Sequence, residues 1–150
     1  MQKRTLSILL VLLQFLSAND PDHTNAEKLV AHKQKSDMSY KQMMQRMGEA
    51  YHMIQTGIIN QNKALVTLGA SLIQNHPAPK NKPWSIVKKE DVAAFKQTLL
   101  AYDKLLHEGT RKLQKSVKTK TPNWSLVNEN AFALSNHCVS CHAMWKENLK

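Results

Sequence analysis

The sequence predicts an all-α protein, an antiparallel four-helix bundle, and three observations lead there. Glycine and proline are scarce, at 4 and 5 of 150 residues. The long stretches are rich in Ala, Leu, Lys, Gln and Met, which favour helix over strand. Apolar residues recur every three or four positions in four separate segments. Four amphipathic helices joined by one long and several short connections bury their apolar stripes most simply against one another.

The N-terminus is set apart from this pattern. Lys3 and Arg4 precede an apolar run from Leu6 to Leu16, and the small residues Ser17 and Ala18 follow. Roughly eleven apolar residues fall short of the ~20 that a membrane-crossing helix needs. Residues 1–18 are therefore expected to be a cleaved secretory signal, and residues 19–150 one exported domain without stable membrane insertion, located in the periplasm. Loss of Lys3 and Arg4 leaves 19 of the 21 Lys and Arg against 11 Asp and Glu. A basic surface of this kind suits partners with an acidic docking face. Nucleic acid is not an expected partner, because the lysines are scattered and export removes the chain from it.

The first helix is expected from Asn25 to about Gln55, with Tyr40, Met44, Met47, Tyr51, Ile54 and Ile58 along one face. A second follows with Leu65, Leu68, Leu72 and Ile73 turned inward. The segment from His76 to Pro83 cannot continue it, since Pro77, Pro79 and Pro83 remove donors and clash with a preceding turn. That is the long loop. The third helix is expected from about Lys88 to Lys118, burying Val92, Phe95, Leu99, Tyr102, Leu106 and Leu113. Pro122 is expected at the first position of the fourth, whose inner face carries Val127, Ala131, Leu134, Cys138, Cys141 and Trp145.

The chemistry lies in that last helix, at Cys138-Val139-Ser140-Cys141-His142. Helical positions three apart share a face, so both thiols can reach the two vinyl groups of one haem. His142, four residues after Cys138, projects from the same side toward the iron. C-x-x-C-H is the attachment signature of c-type haem, and the chain's two cysteines both lie in it. The competing readings are a thiol–disulfide pair, a zinc site and a structural disulfide. The first usually sits where a strand enters a helix, and no strand is expected before Cys138. Zinc needs four good ligands, and no second pair has suitable spacing. A disulfide here would close a trivial loop. One covalent haem c is the expected cofactor.

With eight residues after His142 in this sequence, a sixth iron ligand is expected from upstream, on a facing helix. Met38, Met43, Met44, Met47 and Met53 lie in the first helical segment, and flexible Met filling the core is the bland alternative for each. His137 is expected to point away from the haem face, and His52 on the first helix to be a partly exposed surface residue, with a ligand role as the alternative. His23, His32, His76 and His107 fall in polar surroundings and carry no legible signal. No nucleophile–base pair or paired carboxylates emerge, so an enzyme is not expected.

The run from Cys138 through His142 to Trp145 and Lys146 resembles the cytochrome c′ superfamily, the class II c-type cytochromes. That family likewise has an aromatic and then a basic residue three and four positions after the histidine. Trp84 with Phe95-Lys96-Gln97 is similar to the start of its third helix, and Tyr40 to Gly48 to its first. The resemblance implies a left-twisted four-helix bundle with a C-terminal haem-attachment helix. In the family's low-spin branch, a methionine four residues before a glycine takes the sixth position, and Met44 before Gly48 satisfies that relation; Met43 and Met47 are the alternatives. Where the family often has a basic residue four before the methionine, this chain has Tyr40. By the same resemblance Trp145 and Phe95 pack on the porphyrin and Lys146 lies near a propionate. Ordinary core packing and a solvated lysine are the alternatives. The implied function is electron transfer between redox proteins with His/Met ligation. The alternative is a five-coordinate, gas-binding cytochrome taking nitric oxide or carbon monoxide. The resemblance also implies a homodimer through the first two helices as an alternative to a monomer.

Overall fold

A computed structural model describes residues 25–148; the expected signal, residues 1–18, lies outside them. Among the described residues the regular structure is helical, with a single isolated bridge, Lys35 to Ala78, outside the helices. Five α-helices occur in order: α1 (Ala26–His32), α2 (Tyr40–Ile59), α3 (Lys63–Gln74), α4 (Val92–Val117) and α5 (Trp124–Trp145). Short 3-10 turns at Pro83–Ile86, Lys89–Asp91 and Lys146–Asn148 complete the described residues. None of the described helices is long and apolar enough to cross a membrane.

The first expected helix is two helices, with a break from Lys33 to Ser39. The backbone there bonds to the proline-rich loop instead of to itself: Ser36 N donates to Ala78 O at 3.1 Å, Ala78 N to Gln34 O at 2.8 Å and Lys80 N to Met38 O at 2.7 Å. Ser39 then starts α2 with a capping box, its hydroxyl accepting from Gln42 N at 3.2 Å while Ser39 N donates to the Gln42 side chain at 2.8 Å.

α2 packs along α3, α3 along α4, α4 along α5, and α5 returns to α2, while α1 lies on α4. The α2–α3 seam corrects the expected register of α3. Val66, Gly69, Ala70 and Ile73 are buried, whereas Leu68 and Leu72 stand half-exposed. Close approach is the reason: a Cβ on Gly69 would sit 2.5 Å from Ala50 O, so the seam takes the smallest residues and the leucines turn outward. Pro122 likewise lies two positions before the first helical residue, Trp124. Asn123 caps α5, its side chain accepting from Leu126 N at 3.2 Å, so Pro122 precedes the cap.

Two apolar clusters hold the fold. One draws Met47, Ala50 and Ile54 from α2, Val66, Ala70 and Ile73 from α3, Leu113 and Val117 from α4, and Val127, Ala131 and Leu134 from α5. Thr110 is fully buried beside them, with its hydroxyl donating to Leu106 O and His107 O. The other joins Ala26 and Leu29 of α1 to Trp84, Val87, Phe95, Leu100 and Trp145. Each buried side chain of this size contributes about 1.5–3 kcal/mol. The space between the two clusters positions the site.

Candidate functional site

A cavity of about 350 Å³ opens between the clusters. One wall is α5, with Cys138, Cys141 and His142 all lining it. Their spacing of three and four residues puts them on adjacent turns of one helix face. Another wall is α2, which presents Met43, Met44 and Met47 together with Gly48. A Cβ on Gly48 would meet nothing within 4 Å, so the helix surface there is flat beside the methionines. Tyr51 ties the two walls, its hydroxyl donating to Ala131 O at 3.1 Å. Ala26, Leu29 and Val30 of α1 cover the space, and Leu99, Tyr102 and Leu106 of α4 complete it.

Both thiols are half-buried and neither is in a disulfide. Burial pushes the Cys138 thiol up, against the lowering effect of a backbone hydrogen bond at Cys138 itself, and the thiol donates weakly to Leu134 O at 3.7 Å. Burial also raises Cys141, with Cys138 adding to the effect. A thiol–disulfide catalyst needs a lowered thiol, so the environment runs against that reading. No group of three or more His, Cys, Asp or Glu that could hold a metal ion occurs among the described residues. The lining does suit a haem: two adjacent thiols and an imidazole on one wall, thioethers on the other, and a mainly apolar interior with a flat patch at Gly48.

Of the residues expected at the site, Cys138, Cys141, His142 and Met44 share this cavity. Phe95, Trp145 and Lys146 are not among its lining residues. Phe95 and Trp145 meet edge-to-face at 4.9 Å in the cluster behind it, with Tyr40 at 6.4 Å from Phe95. The Trp145 indole N–H is buried there without a partner among the described residues. Lys146 is exposed at the end of α5.

Two histidines stand differently from expectation. His137 lines the cavity instead of pointing away. His76, which looked featureless in a polar stretch, also lines it, because the loop folds back over the break after α1. Its Nδ1 lies 2.8 Å from Ile73 O, and its Nε2 faces the Asp103 carboxylate at 3.7 Å, with Lys33 bonded to the same oxygen at 2.9 Å. Burial, and then Lys33, hold His76 below the ordinary histidine value. Tyr40, expected on the same face of its helix as Met44 and Met47, also lines the cavity; burial, and then proximity to Cys141, keep its hydroxyl protonated. The placement of His76 carries no sequence signal of its own, since it depends on the break after His32. In comparisons with known proteins, no family model, curated protein or solved structure matches this chain.

Proposed function

We propose that this chain is a monohaem c-type cytochrome of the cytochrome c′ kind, an exported periplasmic electron carrier built on an antiparallel four-helix bundle. The observation that carries the reading is the shared cavity, lined by Cys138, Cys141 and His142 from α5 and by Met44 from α2. The closed order of packing, α2 to α3 to α4 to α5 and back to α2, supports the bundle. Cys138 and Cys141 would hold the cofactor through two thioethers, and His142 and Met44 would be its iron ligands. Haem supplies one-electron redox chemistry when bound, and a thioether as sixth ligand raises its potential relative to bis-histidine ligation. The apolar walls exclude water, and the break after α1 lets Ala26, Leu29 and Val30 cover the space. The exposed lysines favour a redox partner with an acidic face.

The test is the visible spectrum of the haem-loaded protein, oxidised and reduced, before and after carbon monoxide. A low-spin spectrum indifferent to the gas, changed by Met44→Ala, is expected. A high-spin spectrum that shifts with carbon monoxide would move the function to gas binding and leave Met44 as a packing residue.

A further inference from the structure

The cluster Lys33, His76 and Asp103 serves two spaces at once. Besides lining the inner cavity, all three line an outer groove with His32 and His107. The side chains are largely buried, at 17%, 11% and 11% exposure. A charged group in such a place is retained only when compensated. Lys33 and Asp103 compensate each other at 2.9 Å. His76 is the member left in balance: burial and Lys33 oppose a proton on it, while Asp103 and the bond to Ile73 O favour one.

Its geometry shows where that proton would go. Nδ1–H donates to Ile73 O, so in the neutral ring the lone pair of Nε2 faces a carboxylate oxygen at 3.7 Å, acceptor toward acceptor. Protonation at Nε2 turns this contact into an ion pair. Other titratable groups also border the cavity. Tyr40 from α2 is kept protonated by burial, and Tyr102 from α4 lines the same space. From α5, His137 and His142 face the cavity. Histidine is the side chain whose ordinary value lies near neutrality, and among these histidines His76 is the one placed between cavity and groove.

We propose that His76, between Lys33 and Asp103 in the wall shared by cavity and groove, is a redox-linked proton site. It binds one proton when the haem is reduced and releases it on oxidation. This rests on the function proposed above. The electron comes from the redox partner. The proton comes from water in the groove and adds to Nε2, while Nδ1 keeps its bond to Ile73 O. Oxidation returns both. The cause is electrostatic: reduction places one more negative charge in a poorly screened space, where the response of a nearby ionisable group is large.

The experiment is spectroelectrochemical titration of the haem-loaded protein from about pH 4 to 8, with covalent attachment first confirmed by mass. Each tenfold change in proton activity is expected to lower the midpoint as pH rises, by at most about 59 mV, the equivalent of a tenfold change in equilibrium constant for one electron. His76→Gln should flatten this dependence. Lys33→Met should move the sloping window to higher pH, and Asp103→Asn to lower pH, opposite shifts that a merely structural role would not produce. A flat profile in the loaded wild type, or an unchanged slope in His76→Gln, overturns the proton site and leaves the haem reading intact. Failure of the mass test overturns both.

Discussion

Gly69→Ala is the substitution in which two opposing effects can be weighed from the structure. Alanine in the middle of α3 gains up to about 1 kcal/mol of helix stability over glycine. Its Cβ, however, would lie 2.5 Å from Ala50 O, 2.8 Å from Ile54 Cγ1 and 3.1 Å from Ile54 N. Ordinary contact between such atoms is about 3.5–4.0 Å, and two of the three are backbone atoms that no side-chain rotation can move. Relief requires α2 and α3 to part by roughly 1 Å, and overpacking of that kind costs about 1–3 kcal/mol. The seam also loses contact along Val66, Ala70 and Ile73, so the cost falls in the upper part of that range. A net destabilisation of about 1–2 kcal/mol is expected, read as a lower urea midpoint at unchanged slope by far-ultraviolet circular dichroism. Gly109→Ala is the control. Its nearest neighbour is the movable Cδ1 of Leu134 at 3.0 Å, so propensity offsets crowding and the midpoint should scarcely move. If Gly69→Ala proved as stable as the wild type, the close packing of α2 on α3 would be wrong, and with it the placement of the methionines on the cavity wall.

Other expectations follow from single contacts. Asn123→Ala removes the cap of α5 and should cost about 1 kcal/mol by urea unfolding, with Asn123→Ser restoring most of it. Leu134 is fully buried, and Leu134→Ala should cost about 2–5 kcal/mol in the same assay. The depressed His76 value makes stability depend on pH. The unfolded chain binds that proton first, near its ordinary value of about 6.5. The contribution is therefore full above that pH and is lost as pH falls toward the folded value. Urea midpoints at pH 7 and 5 should differ less in His76→Gln than in the wild type.

Much of this was legible in the sequence, and the parts that were not share a cause. The apolar spacing of Val127, Ala131, Leu134 and Trp145 marks the buried face of α5 correctly, and the cysteines fall beside it, half-buried on the cavity wall. The methionine-rich face of the first helical segment was legible too, and Met43, Met44 and Met47 all line the same space as His142, while the choice of Met44 among them rests on the family resemblance. The interruption between His32 and Tyr40 could not be read from periodicity. The competing structure there is a set of bonds to Ala78 and Lys80, some forty residues away in the chain. His76 and Lys33 were missed for the same reason, because their importance comes from that long-range pairing. In α3, leucines at helical spacing were mistaken for the core face, where the close approach of α2 selects Gly69 and Ala70. Hydrophobicity ranks residues by transfer energy, whereas a tight helix seam ranks them by size.

The measurement that bears most directly on the central claim is the intact mass of the protein produced with the c-type maturation machinery, alongside its Cys138→Ala and Cys141→Ala variants. A wild-type mass higher than the polypeptide by one haem, resistant to denaturation and acid extraction and lost in the double variant, is the expected result. A polypeptide of unmodified mass, or one lighter by the two hydrogens of a Cys138–Cys141 disulfide, would contradict the haem reading and return the motif to thiol chemistry.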